Sequence, residues 1–291
     1  MPRTAVCISG LILLVIASIA SAAPLTPLDD SAKAMNAPIA PFQISDEVYF
    51  VGTADMGIYL IKTNAGDILM DGGFEETVPQ ILTNLKTIDV APKDIRILLN
   101  SHAHYDHAGG LAALKQITGA KLIVSRASAV ELMRGGHDDP NFGSKYLFPP
   151  VKADRTVDDG GVVTLGNVVL TAHLTPGHTK GCTTWTMPAH IAGKTYAALF
   201  LCGVTAPGYK LVGNAAYPNI VADYEHSFVV LKKLPCELFL GAHANYYDMV
   251  AKRAEMLKTG SPMAFVDPVG CRKYLESAEI AVHKAVAEQT H

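Results

Sequence analysis

Asn100 to Gly110 reads NSHAHYDHAGG and gathers three imidazoles and a carboxylate, His102, His104, Asp106 and His107, within six residues. His102 and His104 are two apart just after the apolar run Ile95-Arg96-Ile97-Leu98-Leu99, so a strand ending there can point both the same way. Asp106 and His107 follow as the chain turns through Gly109-Gly110 into a helical pattern. A packed core has no use for this arrangement. Imidazole nitrogen and carboxylate oxygen suit Zn²⁺, which takes about four ligands and keeps one position open where it is catalytic. An exposed loop with accidental histidines is the competing account, and the arrival of all these ligand types in one tight turn speaks against it.

Two zinc ions need more protein ligands than these four, so the cluster calls for distant partners. His178 in LTPGHTKG and His243 in LFLGAHAN each follow an apolar strand-like run and a turn-forming glycine, the place where a sheet delivers side chains to a shared rim. Either alone would be an ordinary loop histidine; beside the cluster they become candidate ligands. His173 lies within a strand and is expected to be structural. His137, His190, His226, His283 and His291 fall in loops or polar helical positions and are expected at the solvated surface.

The elements that must hold these residues can be read from periodicity. Strand-like runs cover 47–51, 57–63, 67–70, 95–99 and 121–124, and a further set covers 162–165, 168–174, 182–187, 196–202 and 237–240. Helical patterns cover 75–85, 111–118, 127–133, 223–234, 251–257 and 271 to the end. Helices thus fall in both halves around two strand-rich regions, which predicts an α/β layered domain with sheets packed inside. The stretch 134–150, with three prolines and few apolar residues, reads as a surface loop that could border a site.

The first residues stand apart. Arg3, an apolar core from about Ile8 to Ile19 and the small-residue site Ala20-Ser21-Ala22 predict a signal peptide over residues 1–22. Its core is shorter than the roughly 20 residues that span a bilayer, so cleavage is expected rather than anchoring. A Pro- and Ala-rich leader over 23–40 would then precede one domain over 41–291. The formal charge of −3 becomes −4 once Arg3 is removed, and nothing in that balance points to a nucleic-acid or acidic-membrane partner. Export permits disulfides. Cys236 precedes an apolar run and Cys271 opens the last helix; a bridge between them would close a loop worth about 4 kcal/mol. Cys182 and Cys202 sit in apolar runs and are expected as buried thiols.

His102-Ala103-His104-Tyr105-Asp106-His107 resembles the HxHxDH signature of the metallo-β-lactamase superfamily, whose fold is an αββα sandwich with metals at the sheet edges. The wider chain is similar to subclass B3 in Val51-Gly52-Thr53, Ile68-Leu69-Met70-Asp71-Gly72-Gly73, Leu170 to His178, Gly181-Cys182-Thr183-Thr184-Trp185 and Ala206-Pro207-Gly208-Tyr209, from about Pro41 through the paired Cys236 and Cys271. The resemblance implies zinc-dependent, periplasmic β-lactam hydrolysis conferring antibiotic resistance by a monomer. His102, His104 and His178 would hold the first Zn²⁺; Asp106, His107 and His243 would hold the second. Asp106 would also orient the attacking water, and Asp71 is a candidate for fixing the imidazoles.

Thioester- and lactone-cleaving relatives usually carry a metal-bridging Asp where this chain reads Leu201-Cys202-Gly203-Val204. Subclasses B1 and B2 use a cysteine ligand near Cys202, but His107 already fills the place those subclasses leave to a non-ligand, and Cys202 is one residue out of register. Where B3 relatives often place substrate-contacting serines, Thr205 keeps a hydroxyl and Gly203 does not. Lys258-Thr259-Gly260 imitates an element of serine β-lactamases, yet the chain has no Ser-x-x-Lys nucleophile motif, so this triplet is expected to end a helix. Rival accounts are a lactone or thioester hydrolase of the same superfamily and a non-catalytic zinc-binding protein.

Overall fold

The alternation of buried side chains along each strand decides the layering. In the computed structural model, which describes residues 27–290, a first sheet runs in the order β1 (Phe42–Gln43), β2 (Val48–Phe50), β3 (Tyr59–Thr63), β4 (Gly66–Met70), β5 (Ile95–Leu99), β6 (Lys121–Ser125) and β7 (Arg155–Val157). It is antiparallel as far as β4 and parallel beyond. On β4, Ile68 and Met70 enter one apolar cluster and Leu69 another; on β5, Ile97 and Leu99 part from Leu98 in the same way. Both faces of this sheet are therefore covered, which is why its central strands read as unbroken apolar runs.

The second sheet has the order β12 (Leu238–Gly241), β11 (Lys194–Leu201), β10 (Thr183–Ile191), β9 (Val168–Leu174) and β8 (Val162–Leu165). Trp185, Leu170, Ala172 and Phe200 pack with Ile68, Met70, Ile97 and Leu99 between the sheets. Outside the first sheet, α2 (Val78–Thr87) and α4 (Leu111–Thr118) bury Ile81, Leu85, Leu111 and Leu114. Outside the second, α6 (Ile220–Leu231) and α8 (Pro268–Thr290) bury Phe228, Leu231, Leu275 and Val282. Each such Leu or Ile contributes about 1.5–3 kcal/mol of burial. The layers are αββα, as expected.

The bounds of β5, α4, β8 and β9 coincide with the sequence reading. Elsewhere the caps shift them. The last helix starts at Pro268, three residues early, because proline fits a first helical turn and the Asp267 carboxylate accepts the Gly270 N–H at 2.8 Å. The 23–40 leader is not featureless: α1 (Asp30–Met35) is capped by Asp29, which accepts the Ala32 N–H at 2.8 Å, and Ala32 is buried. Lys258-Thr259-Gly260 does end a helix, α7 (Met249–Thr259), with Gly260 left-handed at φ 69°. The segment expected as a signal peptide lies outside the described residues, and among those described no helix is long and apolar enough to cross a membrane.

One expectation is overturned. Cys182 and Cys202 are not free thiols but a disulfide, as are Cys236 and Cys271. The reason is register: β10 and β11 form a hairpin pairing Trp185 with Phe200, which brings the residues just beyond the paired ends together, with Cα atoms 5.9 Å apart. Cys202 is thereby unavailable as a metal ligand.

Candidate metal centre

Three strand ends supply the site. His102 and His104 follow β5, His178 follows β9, and His243 follows β12. Asp106 and His107 lie in α3 (Tyr105–Ala108), a single helical turn. That turn folds back because Gly110 lies against Gly72: a Cβ on Gly110 would stand 2.3 Å from the Gly72 carbonyl oxygen. The contact is closed by the Gly72 N–H donating to the His107 carbonyl at 2.8 Å. The sequence signal for this approach was the pair of double glycines.

The donor atoms converge. Those of His102, His104 and His178 lie within 4.8 Å of one another, with ring centroids 4.8–4.9 Å apart. Beside them, Asp106 Oδ2 is 3.4 Å from His107 Nε2 and 3.6 Å from His243 Nε2, and the two nitrogens are 3.1 Å apart. Donors bound at about 2.0–2.2 Å to one tetrahedral ion are separated by about 3.3–3.6 Å, a spacing that both Asp106 separations already have and that the two nitrogens, at 3.1 Å, fall slightly short of. A further possible metal group among the described residues, Glu225, Glu279 and His283, is largely exposed and engaged in ion pairs between α6 and α8.

Around the ligands, carboxylates and carbonyls fix the rings. Asp71, left-handed at φ 67° and buried, accepts from Asn100 Nδ2 at 2.8 Å, Ser101 N at 2.7 Å and Ser101 Oγ at 2.7 Å, and its Oδ2 lies 3.6 Å from His107 Nδ1. It both shapes the turn before His102 and faces a candidate ligand. His178 Nδ1 donates to the Thr205 carbonyl at 2.7 Å. His243 Nδ1 meets Asp55 Oδ2 at 2.9 Å. With Nδ1 occupied, Nε2 is left for a metal. His102 Nε2 is buried without a hydrogen-bond partner, the condition a metal would relieve. The donor chemistry, the spacing and this orphaned nitrogen fit a divalent metal ion.

Sequence reasoning missed Asp55 and Asp139. Asp55 sits 188 residues from His243 in sequence, and the segments are joined by the isolated bridge Met56–His243 and by the Ala244 and Asn245 N–H groups donating to Asp55. Asp139 lies in the loop flagged as bordering the site, its Oδ2 3.5 Å from His104 Nε2. His173 holds Thr186 Oγ1 at 2.8 Å, a structural role as expected. Thr205 is half-buried beside His178, held to it through its backbone.

Burial, then the neighbouring imidazoles, push His102 well below its ordinary value and His178 down to about 3, so both stay neutral, the form that binds metal. His107 goes the other way. Burial disfavours its charge, but Asp106 and Asp71 outweigh burial and bring it to about 10. A metal at the second trio must displace that proton.

Gly203 sets the floor beneath His178. A Cβ there would lie 2.3 Å from His178 Cδ2. Gly203→Ala is therefore expected to displace the imidazole and weaken metal binding by about tenfold or more, as read by chelator competition; unchanged affinity would show that the ring has room to move.

Behind the site a cavity of about 230 Å³ is lined by Ala103, Glu131, Asp139 and Lys180. One Glu131 oxygen has no partner, and burial pushes this carboxyl from 4.5 to about 7. The unfolded chain ionises first, so the cost to folding grows from about pH 4.5 and is complete above about 7. Glu131→Gln should then gain stability relative to the parent at pH 8 compared with pH 5, by up to about 3 kcal/mol. Urea unfolding at the two pH values checks this, and an equal difference at both would contradict a buried, raised carboxyl.

An αββα sandwich that brings five imidazoles and a carboxylate together at its strand ends has the layout of a metal-binding centre. Residues 58–190 match the model of the metallo-β-lactamase superfamily. The native metallo-β-lactamase FEZ-1 of Legionella gormanii is 42% identical, with 88% of this chain and 98% of that chain covered and a TM-score of 0.85. BJP-1, a subclass B3 metallo-β-lactamase of Bradyrhizobium japonicum, is 39% identical over 89% of this chain and 98% of its own, with a TM-score of 0.84. Among curated proteins, the hydroxyacylglutathione hydrolase of Maricaulis maris is 29% identical over 198 residues, 67% of each chain. The chain belongs to the metallo-β-lactamase superfamily, and its solved structural neighbours include subclass B3 enzymes.

Proposed function

We propose that this protein hydrolyses the amide bond of β-lactam antibiotics with two zinc ions. His102, His104 and His178 hold the first, and Asp106, His107 and His243 hold the second. The observation that carries the reading is the stretch Leu201-Cys202-Gly203-Val204: where thioester- and lactone-cleaving relatives usually carry a bridging Asp, it has no carboxylate, and a side chain on Gly203 would run into the His178 ring. Cys202, the neighbouring side chain, is tied to Cys182. The 42% identity with FEZ-1 across nearly all of that β-lactamase supports the same choice.

When bound, the ions supply Lewis acidity that ionises a water near neutral pH and polarises a carbonyl. The protein's part is placement. Asp106, whose Oδ2 lies between His107 and His243, would orient the water as a hydrogen-bond acceptor. The Thr205 hydroxyl, beside His178, anchors the substrate carboxylate. Phe142 and Tyr209, with ring centroids 5.5 Å apart, form an apolar wall next to His104 and His178 that excludes bulk water from the reacting bond. A signal peptide over residues 1–22 would deliver this enzyme to the periplasm, where a monomer meets its small-molecule substrate.

The 29% identity to a hydroxyacylglutathione hydrolase favours a second reading, thioester hydrolysis on the same metals. Full-length expression in a susceptible Gram-negative bacterium separates the two. The β-lactam reading requires raised resistance to a penicillin and a carbapenem that His102→Ala abolishes; unchanged susceptibility with abundant, exported protein would refute it.

A further inference from the structure

Asp139 divides its carboxylate between two tasks. Oδ1 accepts the N–H groups of Asn141 and Phe142, both at 2.8 Å, while the Asp139 and Gly143 backbones exchange hydrogen bonds at 2.8 and 2.9 Å. The turn 139–143 is thus built on this side chain. Oδ2 points elsewhere, to His104 Nε2 at 3.5 Å, with both side chains largely buried. Within the same turn Phe142 lays its ring against His104, centroids 5.2 Å apart, and against Tyr146 at 5.2 Å, which in turn stacks on Tyr105 at 4.5 Å.

We infer that Asp139 is a positioning residue for His104, and that through it metal loading draws the turn 139–143, with Phe142, onto the site. The inference rests on the ligand assignment proposed above. A ligating histidine is oriented by giving its other ring N–H to a carboxylate, and losing such a partner typically costs 10–100-fold in metal affinity. The present 3.5 Å gap is a few tenths of an ångström beyond a hydrogen bond. A cation on the ring makes its remaining N–H more acidic, which strengthens the attraction to Asp139 and shortens that gap. Because Oδ1 of the same carboxylate carries the turn, Phe142 must follow.

Asp139→Asn separates the tasks: its amide oxygen still accepts from Asn141 and Phe142, but the uncharged group holds His104 weakly. Zinc dissociation constants from competition with a chromophoric chelator should rise about 10–100-fold in Asp139→Asn. Amide exchange across 139–143 should slow on zinc binding in the parent and not in the variant. Phe142→Leu, which leaves Asp139 in place, should keep parental zinc affinity. A parent that binds two zinc ions beside an Asp139→Asn that binds them equally tightly overturns the inference alone; a parent that binds none overturns the ligand assignment itself.

Discussion

His102→Ala is expected to lower the kcat/KM for a cephalosporin by on the order of a thousandfold and to remove one zinc ion per chain, with the fold retained. His102 is wholly buried at the centre of the cluster, its ring 4.9 Å from His104, 4.2 Å from His107 and 4.8 Å from His178. Its Nε2 makes no hydrogen bond within the protein, so truncation takes away a ligand and breaks no internal bond at that atom. Losing the Lewis acid that polarises the scissile carbonyl removes several kcal/mol of transition-state stabilisation, which gives the size of the effect. Parallel elemental analysis and steady-state kinetics check it. A variant that keeps two zinc ions and parental turnover would show that the first ion is not where the imidazoles converge.

The second large effect is on stability. Cys182 and Cys202 are 20 residues apart, and closing that loop is worth about 3 kcal/mol in the chain-entropy model; the 35-residue separation of Cys236 and Cys271 is worth about 4. At 2–4 °C per kcal/mol for a domain of this size, replacing either pair by alanine should lower Tm by roughly 6–16 °C. Only one replacement should also reach the metals. Cys202 precedes Gly203, which packs under His178, and Cys182 is followed by Thr183, whose N–H donates to the Ser101 carbonyl at 2.8 Å, next to His102. Cys236–Cys271 ties the start of β12 to α8 instead. Melting and zinc titration of the two double variants test this. Equal zinc affinity in both would confine the Cys182–Cys202 bridge to a stabilising role.

Much of the frame was legible because its causes are local. β5, β8, β9 and α4 end where apolar periodicity meets Gly, Asn or a reversal of pattern, and those signals sit within a few residues of the boundary. The cluster at 102–107 is contiguous, so its chemistry is visible in the sequence; His178 and His243 became visible through the strand, glycine and histidine order that repeats before each. What escaped depends on approach in space. Asp55 reaches His243 across the edge between the two sheets, and no spacing in the chain announces it. Asp139 lay in a loop whose position could be suspected but whose turn could not be drawn. The Cys182–Cys202 bridge did leave a signal: a hairpin turning at Ala192-Gly193 places residues 182 and 202 nearly opposite, provided the strands are extended to their full lengths.

Gly203 shows the same division. From sequence it is a missing hydroxyl in a stretch without a carboxylate; in the fold it is a place where a side chain cannot stand while His178 keeps its position.

The central claim is tested most directly by the kcat/KM of the purified mature chain for a penicillin, a cephalosporin and a carbapenem, set beside a glutathione thioester and a lactone, before and after chelation and again after zinc is restored. The account predicts β-lactam turnover that vanishes with the chelator and returns with zinc, exceeding thioester and lactone turnover by orders of magnitude. Efficient cleavage of the thioester or lactone with the β-lactams untouched would contradict it, leaving the fold and its metal ligands in place but assigning them to other chemistry.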